Sequence, residues 1–228
     1  MPIRIVALLA LTLLSCALAR AQTPPSQAEV RGYAGLHAAA ARGDAFEIGR
    51  LVASGENPNL QDSRSPTPLH VAVFFRHRDA AQALIGVGAN VNALEADRYD
   101  GVTIASVQDD VAMLKLVLAA GANARAITSR YDGTALIAAA HLGNAEVVRV
   151  LIAAGAPLDH VNNLGWTALL EAVILGNGGA NHTATLKALL DAGAEPNRAD
   201  RQGLTALSHA RARGYSEMVK LLEAAKAR

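Results

Sequence analysis

The sequence predicts an all-α solenoid, a row of short helix pairs each packed on the next. Three observations carry that prediction. Glycines recur at Gly55, Gly88, Gly121, Gly155 and Gly193, spaced 33, 33, 34 and 38 residues apart. A threonine–x–leucine start, "TPL" at Thr67 and "TAL" at Thr134, Thr167 and Thr205, keeps phase with those glycines. The 228-residue chain is 51% hydrophobic but only 4% aromatic, so its core is aliphatic and Ala-rich. Such a core suits thin, closely packed helices and not a β-sandwich, which favours β-branched and aromatic residues. Self-similarity at a fixed period means units that stack, rather than one closed core.

The chain opens with Arg4 and the apolar run IVALLALTLLSCALA (Ile5–Ala19), then the polar, proline-bearing RAQTPPSQ. A basic start, a short apolar run and small residues before a polar stretch define a secretory signal peptide. Ala19-Arg20-Ala21 supplies the A-x-A site, so residues 1–21 are expected to be removed and residues 22–30 to form a linker. A membrane anchor fits less well. The apolar run is 15 residues long, against the roughly 18–20 needed to cross a bilayer. Cys16, the only cysteine, leaves an alternative: LLSC (Leu13–Cys16) resembles a bacterial lipoprotein signal in which that cysteine is lipidated, although Leu14 is unusual there.

Cleavage after Ala21 leaves no cysteine, hence no disulfide and no thiol chemistry. It also removes Arg4 and Arg20, taking 21 basic residues to 19 against 20 acidic ones and the formal charge from +1 to −1. A nucleic-acid partner would require a clustered basic face, for which this balance gives no case. The bias of 17 Arg to 4 Lys, with abundant Ala, suits a GC-rich bacterium, so the periplasm is the expected compartment.

Each repeat reads in the same order. Thr67, Thr134, Thr167 and Thr205 can cap the first helix, and Pro68 fits its first turn, where a missing N–H costs nothing. A glycine nine residues on, at Gly43, Gly143, Gly176 and Gly214, can end that helix in the left-handed conformation. The second helix presents an aliphatic stripe: Ile48, Leu51 and Val52; Leu84 and Ile85; Val148, Leu151 and Ile152; Leu189 and Leu190; Leu221 and Leu222. Helices this short bury such a stripe only by stacking on neighbours. The stretches SPTPLHVAV, DGTALIAAAHLGNAEVVRVLIAAGAPLD and NLGWTALLEAV resemble ankyrin repeats, helix–turn–helix units with a β-turn finger. Six copies are expected over residues 31–228, with first helices starting near Ala34, Thr67, Thr103, Thr134, Thr167 and Thr205. The first copy lacks the threonine start and the last ends in EAAKAR, as caps facing water should.

Two copies look irregular. In the third, Thr103 stands 18 residues before Gly121 where other copies have 21, which predicts a longer finger in EADRYDG (Glu95–Gly101) and a short first helix. That finger is either a binding feature or drift at a tolerant place. The fifth carries five extra residues in GNGGANH (Gly176–His182), expected as a flexible, exposed loop. It lacks the following Gly-Lys-Ser/Thr of a phosphate-binding loop. Asn181–Thr183 matches a glycosylation sequon, relevant only in a eukaryote.

The residues offer no catalytic group. His37 and His70 occupy the motif's own histidine position, where a structural hydrogen bond is the default. His77, His141, His160, His182 and His209 show no H-x-x-x-H or H-E-x-x-H spacing for a metal. There is no G-x-S-x-G elbow, and no cofactor is implied. What the resemblance implies instead is protein binding by a concave side made of finger tips and first-helix faces. The tip residues read as Ser63 and Arg64; Arg98, Tyr99 and Val102; Arg130 and Tyr131; Asn163, Leu164 and Trp166; Arg201, Gln202 and Leu204. Trp, Tyr and Arg are the types enriched at interface hot spots, which singles out Arg64, Arg98, Tyr99, Arg130, Tyr131, Leu164, Trp166, Arg201 and Gln202. The alternative for these aromatics is that they fill crevices between fingers. The expected protein is therefore non-catalytic, exported and protein-binding, in stress protection or toxin neutralisation. A small-molecule or cell-wall-binding module, using the Gly-rich loop and histidines, is the alternative.

Overall fold

The computed structural model describes residues 25–62 and 65–227. The expected signal peptide with Cys16, and the tip residues Ser63 and Arg64, lie outside the described residues. Within them the chain is all-helical, with one isolated antiparallel bridge between Thr128 and Gly133. After α1 (Gln27–Gly32), helices follow in pairs. These are α2 (Gly35–Arg42) with α3 (Ala45–Ala53), α4 (Pro68–Phe74) with α5 (Arg78–Gly86), and α6 (Gly101–Val107) with α7 (Val111–Ala119). Then come α8 (Ala135–Leu142) with α9 (Ala145–Ala153), α10 (Ala168–Ile174) with α11 (Ala180–Asp191), and α12 (Ala206–Arg213) with α13 (Ser216–Ala224). First helices pack on first helices and second on second, which makes a solenoid.

The caps explain the helix starts. The hydroxyls of Thr67, Thr134, Thr167 and Thr205 accept the N–H three residues on. Ala34 has no such oxygen, and Glu56 reaches back instead, its Oε2 accepting the Leu36 N–H at 3.1 Å. The aliphatic stripes are buried as one continuous core. Ile48, Leu84, Leu114, Leu151, Leu189 and Leu222 are fully buried, while Ile85, Ile152, Leu190 and Leu221 sit half-buried beside it. Each fully buried Leu or Ile contributes roughly 1.5–3 kcal/mol, so neighbouring repeats hold one another.

Three expectations are corrected. Residues 22–30 are not all linker: Gln27–Gly32 is helical, started by a capping box between Ser26 and Glu29. The third repeat does not begin at Thr103. Asp100 is its cap, accepting the Thr103 N–H at 2.7 Å, 33 residues after Thr67 and 21 before Gly121. Helix α6 therefore has seven residues, as α4 has, and its finger is not lengthened. An aspartate caps as well as a threonine. The five extra residues of the fifth repeat are not a loose loop. Three of them start α11 early, so that it runs 12 residues against nine in the other second helices, and two lie in the turn before it. The left-handed residue there is Gly178, not Gly176.

The second-helix starts are tied back to the preceding repeat. His77 Nε2 bonds the Ala41 carbonyl at 3.1 Å, Asn144 Nδ2 that of Ser106 at 2.8 Å, and Tyr215 Oη that of Gly176 at 2.9 Å. His182 does the same to His141 at 2.9 Å. Since a carbonyl only accepts, each imidazole Nε2 carries the proton.

Candidate protein-binding face

The fingers between repeats are built on one recurring device. Glu95, Ser129, Asn162 and Asp200 each offer a side-chain oxygen that accepts the N–H groups two and four residues on. The turn then closes through a left-handed residue: Arg98, Asp132, Gly165 or Gly203. For Asp200, burial opposes ionisation. Hydrogen bonds from Leu204, His209 and Gln202 outweigh it and hold the carboxyl below its ordinary range.

Adjacent fingers are laced together. The Ser129 N–H reaches the Arg98 carbonyl at 3.2 Å, and the Asn163 N–H reaches the Tyr131 carbonyl at 2.9 Å. The arginines singled out from the sequence belong to this lacing. Arg98 pairs with Asp132 at 3.3 Å, Arg130 pairs with Asp97, and Arg201 donates to the Asn163 carbonyl at 2.6 Å. Exposed pairs of this kind are individually weak, yet they hold the guanidiniums along the fingers. The signal in the sequence is that Arg130 and Asp97 stand one repeat apart.

Tyr99 is a correction. It lies at the finger's base, directly before the Asp100 cap, and is only 6% exposed, so it offers no tip contact. Burial pushes its phenol upward from the ordinary value. Trp166, one place before Thr167, is half-buried against the core. Of the apolar residues singled out near the tips, Tyr131, Leu164 and Leu204 face outward, at 40%, 42% and 44% exposure. Gln202 is exposed at the tip position matching Leu164, and Arg64 at the matching place near Thr67 is outside the described residues. The fourth to sixth repeats thus present an apolar edge with Trp166 behind it.

The floor below is formed by the first helices. At its N-terminal end is a cavity of about 50 Å³ between Pro25, Glu29 and Tyr33 of the α1 region, Pro66 and Asp97 of the fingers, and His70, Val71 and Phe74 of α4. His37 Nε2 bonds the Pro66 carbonyl at 3.0 Å, and His70 Nε2 those of Ala93 at 3.0 Å and Tyr99 at 3.2 Å. Burial drives the His70 imidazole down to about 4, so it is neutral and structural.

Further along, the place of Val71 is taken on α10 by Glu171. Its Oε1 accepts from Asn162 Nδ2 at 2.9 Å; its Oε2 is buried with no hydrogen bond, 3.5 Å from His141 Nδ1. Burial raises the Glu171 carboxyl to about 7, and burial lowers His141. Sequence reading passes over Glu171. The available signal is a lone acid inside TALLEAVI, four places after its cap, where the other copies carry Ala38, Val71, Ile104, Ala138 and His209. Among the described residues no group of three His, Cys, Asp or Glu could hold a metal ion, and no helix is long and apolar enough to cross a membrane.

A helical solenoid whose fingers and first helices make one continuous face is a binding scaffold by construction. The chain belongs to the ankyrin repeat family: models of ankyrin repeats match residues 8–98 and 102–200, and a further one matches 179–223. It is 33% identical over 190 residues to the ankyrin repeat protein YahD of Escherichia coli, covering 83% of this chain and 94% of that one. A crystal structure of an ankyrin repeat domain from Acinetobacter baumannii AYE is 46% identical, with a TM-score of 0.81 over 85% of this chain and 98% of the other. A chain of the predatory endopeptidase–immunity protein complex of Bdellovibrio bacteriovorus is 25% identical, with a TM-score of 0.72 over 84% and 98%. Ankyrin repeats mediate protein–protein interaction, and the family is typically non-catalytic.

Proposed function

We propose that this chain is an exported, periplasmic binding protein that holds a partner protein against the concave side of its fourth to sixth repeats and performs no chemistry itself. The observation that carries this reading is the apolar edge of Tyr131, Leu164 and Leu204, set on fingers that are fixed by hydrogen bonds to one another. Rigid, exposed aromatic and aliphatic side chains bury area on binding with little ordering cost. The partner is an exported enzyme that the protein neutralises. This part leans on the structural likeness to a chain of an endopeptidase–immunity protein complex.

The test is capture from the host's exported fraction, with a Tyr131→Ala/Leu164→Ala/Leu204→Ala variant as control, after circular dichroism has shown the variant's helices intact. Retention of one protein by the wild type, reduced roughly tenfold or more in the variant, supports the reading. Equal retention moves the site off the fingers.

A further inference from the structure

We propose that Glu171 is the acceptor for a basic side chain, Arg or Lys, presented by the partner protein. This rests on the concave-face reading above and adds the chemistry of the guest.

Glu171 is an anomaly of stability. A buried oxygen without a partner destabilises the fold, and Val71 and Ile104 show that an aliphatic side chain serves at this place. Nothing within the molecule supplies the missing donor. Asn162 is already fixed, because its Oδ1 accepts the N–H groups of Leu164 and Trp166 while its Nδ2 serves Oε1. His141 Nδ1, 3.5 Å from Oε2, is the nearest candidate and makes no hydrogen bond to it. Of the two arginines on the next first helix, Arg211 pairs with Glu223 at 2.7 Å, and Arg213 is engaged with His209 Nδ1 at 3.2 Å and the Ile174 carbonyl at 3.3 Å.

The site therefore has a buried carboxyl oxygen without a hydrogen bond, held through Asn162 against the finger that carries Trp166. A guanidinium or ammonium group fits that oxygen, donating to Oε2 in a charge-assisted hydrogen bond. The neighbouring His141 ring, 28% exposed, is the side chain that must swing aside for it. Entry of the cation sends the carboxyl proton to solvent, so affinity rises as Glu171 ionises. The other titratable groups around it are His141 on α8, His182 on α11, His209 and Arg213 on α12, and Asp200 on the following finger.

Trp166 is the only tryptophan and its backbone bonds Asn162, so its fluorescence and indole N–H resonance, together with the Asn162 side-chain amide resonance, serve as the readout. The probe is methylguanidinium chloride, with sodium chloride at equal ionic strength as reference. We expect a saturable change at pH 8 and at least tenfold weaker binding at pH 5, where a carboxyl titrating at about 7 is almost wholly protonated. Glu171→Gln, which keeps the Asn162 contact, should abolish the change, while the Tyr131→Ala/Leu164→Ala/Leu204→Ala variant retains it. No saturable change, equal binding at both pH values, or an unaltered response in Glu171→Gln overturns the proposal. Those failures leave the apolar face standing. Partner retention unaffected by the finger variant removes the face, and this inference with it.

Discussion

Asp109 and Gly143 end their first helices in the same left-handed conformation, with φ of 56° and 74°, each nine residues after its cap, Asp100 or Thr134. The aspartate does so against its Cβ, at a cost of about 1–2 kcal/mol. Asp109→Gly should therefore raise stability by about 1 kcal/mol. Asp100→Ala should lower it by about the same amount, because the Thr103 N–H loses its acceptor. Denaturant unfolding of the two variants checks both signs, and an unchanged midpoint in both would contradict the register assigned to the third repeat.

Glu171 should make the fold less stable as pH rises. Its folded value of about 7 lies above the ordinary 4.5, so the unfolded chain loses the proton first. Stability falls as pH rises from about 4.5 to 7 and stays low above that. Glu171→Gln should then gain roughly 2–3 kcal/mol at pH 8 and less than about 1 kcal/mol at pH 5. Thermal unfolding at the two pH values measures the difference.

His70 pulls the other way. Its folded value of about 4 lies below the ordinary 6.5, so the unfolded chain binds protons first as pH falls. Its contribution is whole above 6.5 and is lost progressively down to about 4. His70→Ala should cost about 1–3 kcal/mol at pH 7, through loss of the bonds to Thr67, Ala93 and Tyr99. It should also flatten the stability curve between those pH values.

His182 anchors the extra residues of the fifth repeat. Its ring lies against Gly143 and Gly176, its Nε2 bonds the His141 carbonyl, and its Nδ1 is 3.1 Å from Asn177 Oδ1. His182→Ala should cost about 1–2 kcal/mol. Amide exchange should quicken at the start of α11 while α13 stays protected. Uniform exchange across the array would contradict a local anchor.

Much of this fold is legible in the sequence, because turn glycines, caps and aliphatic stripes each report a backbone need at a fixed period. Reading the letter Thr at a cap misplaces the third repeat, because capping asks for a side-chain oxygen and Asp100 has one. That three-residue slip carries Tyr99 to the tip, when it is the residue directly before the cap and is buried there. The arginines are legible as tip residues but not as tethered ones, since their partners Asp97 and Asp132 lie on neighbouring fingers. Glu171 is harder still. A single acid in an apolar helix means little until Asn162 and His141, from two other elements, are seen around it.

The central claim, that the finger edge of the fourth to sixth repeats meets a partner protein, is tested most directly by site-specific photo-crosslinking. A benzophenone side chain placed at Leu164 should yield one discrete adduct with a protein of the exported fraction, and the same group at Phe46, 84% exposed on α3, should not. An adduct at Phe46 with none at Leu164 would contradict the account.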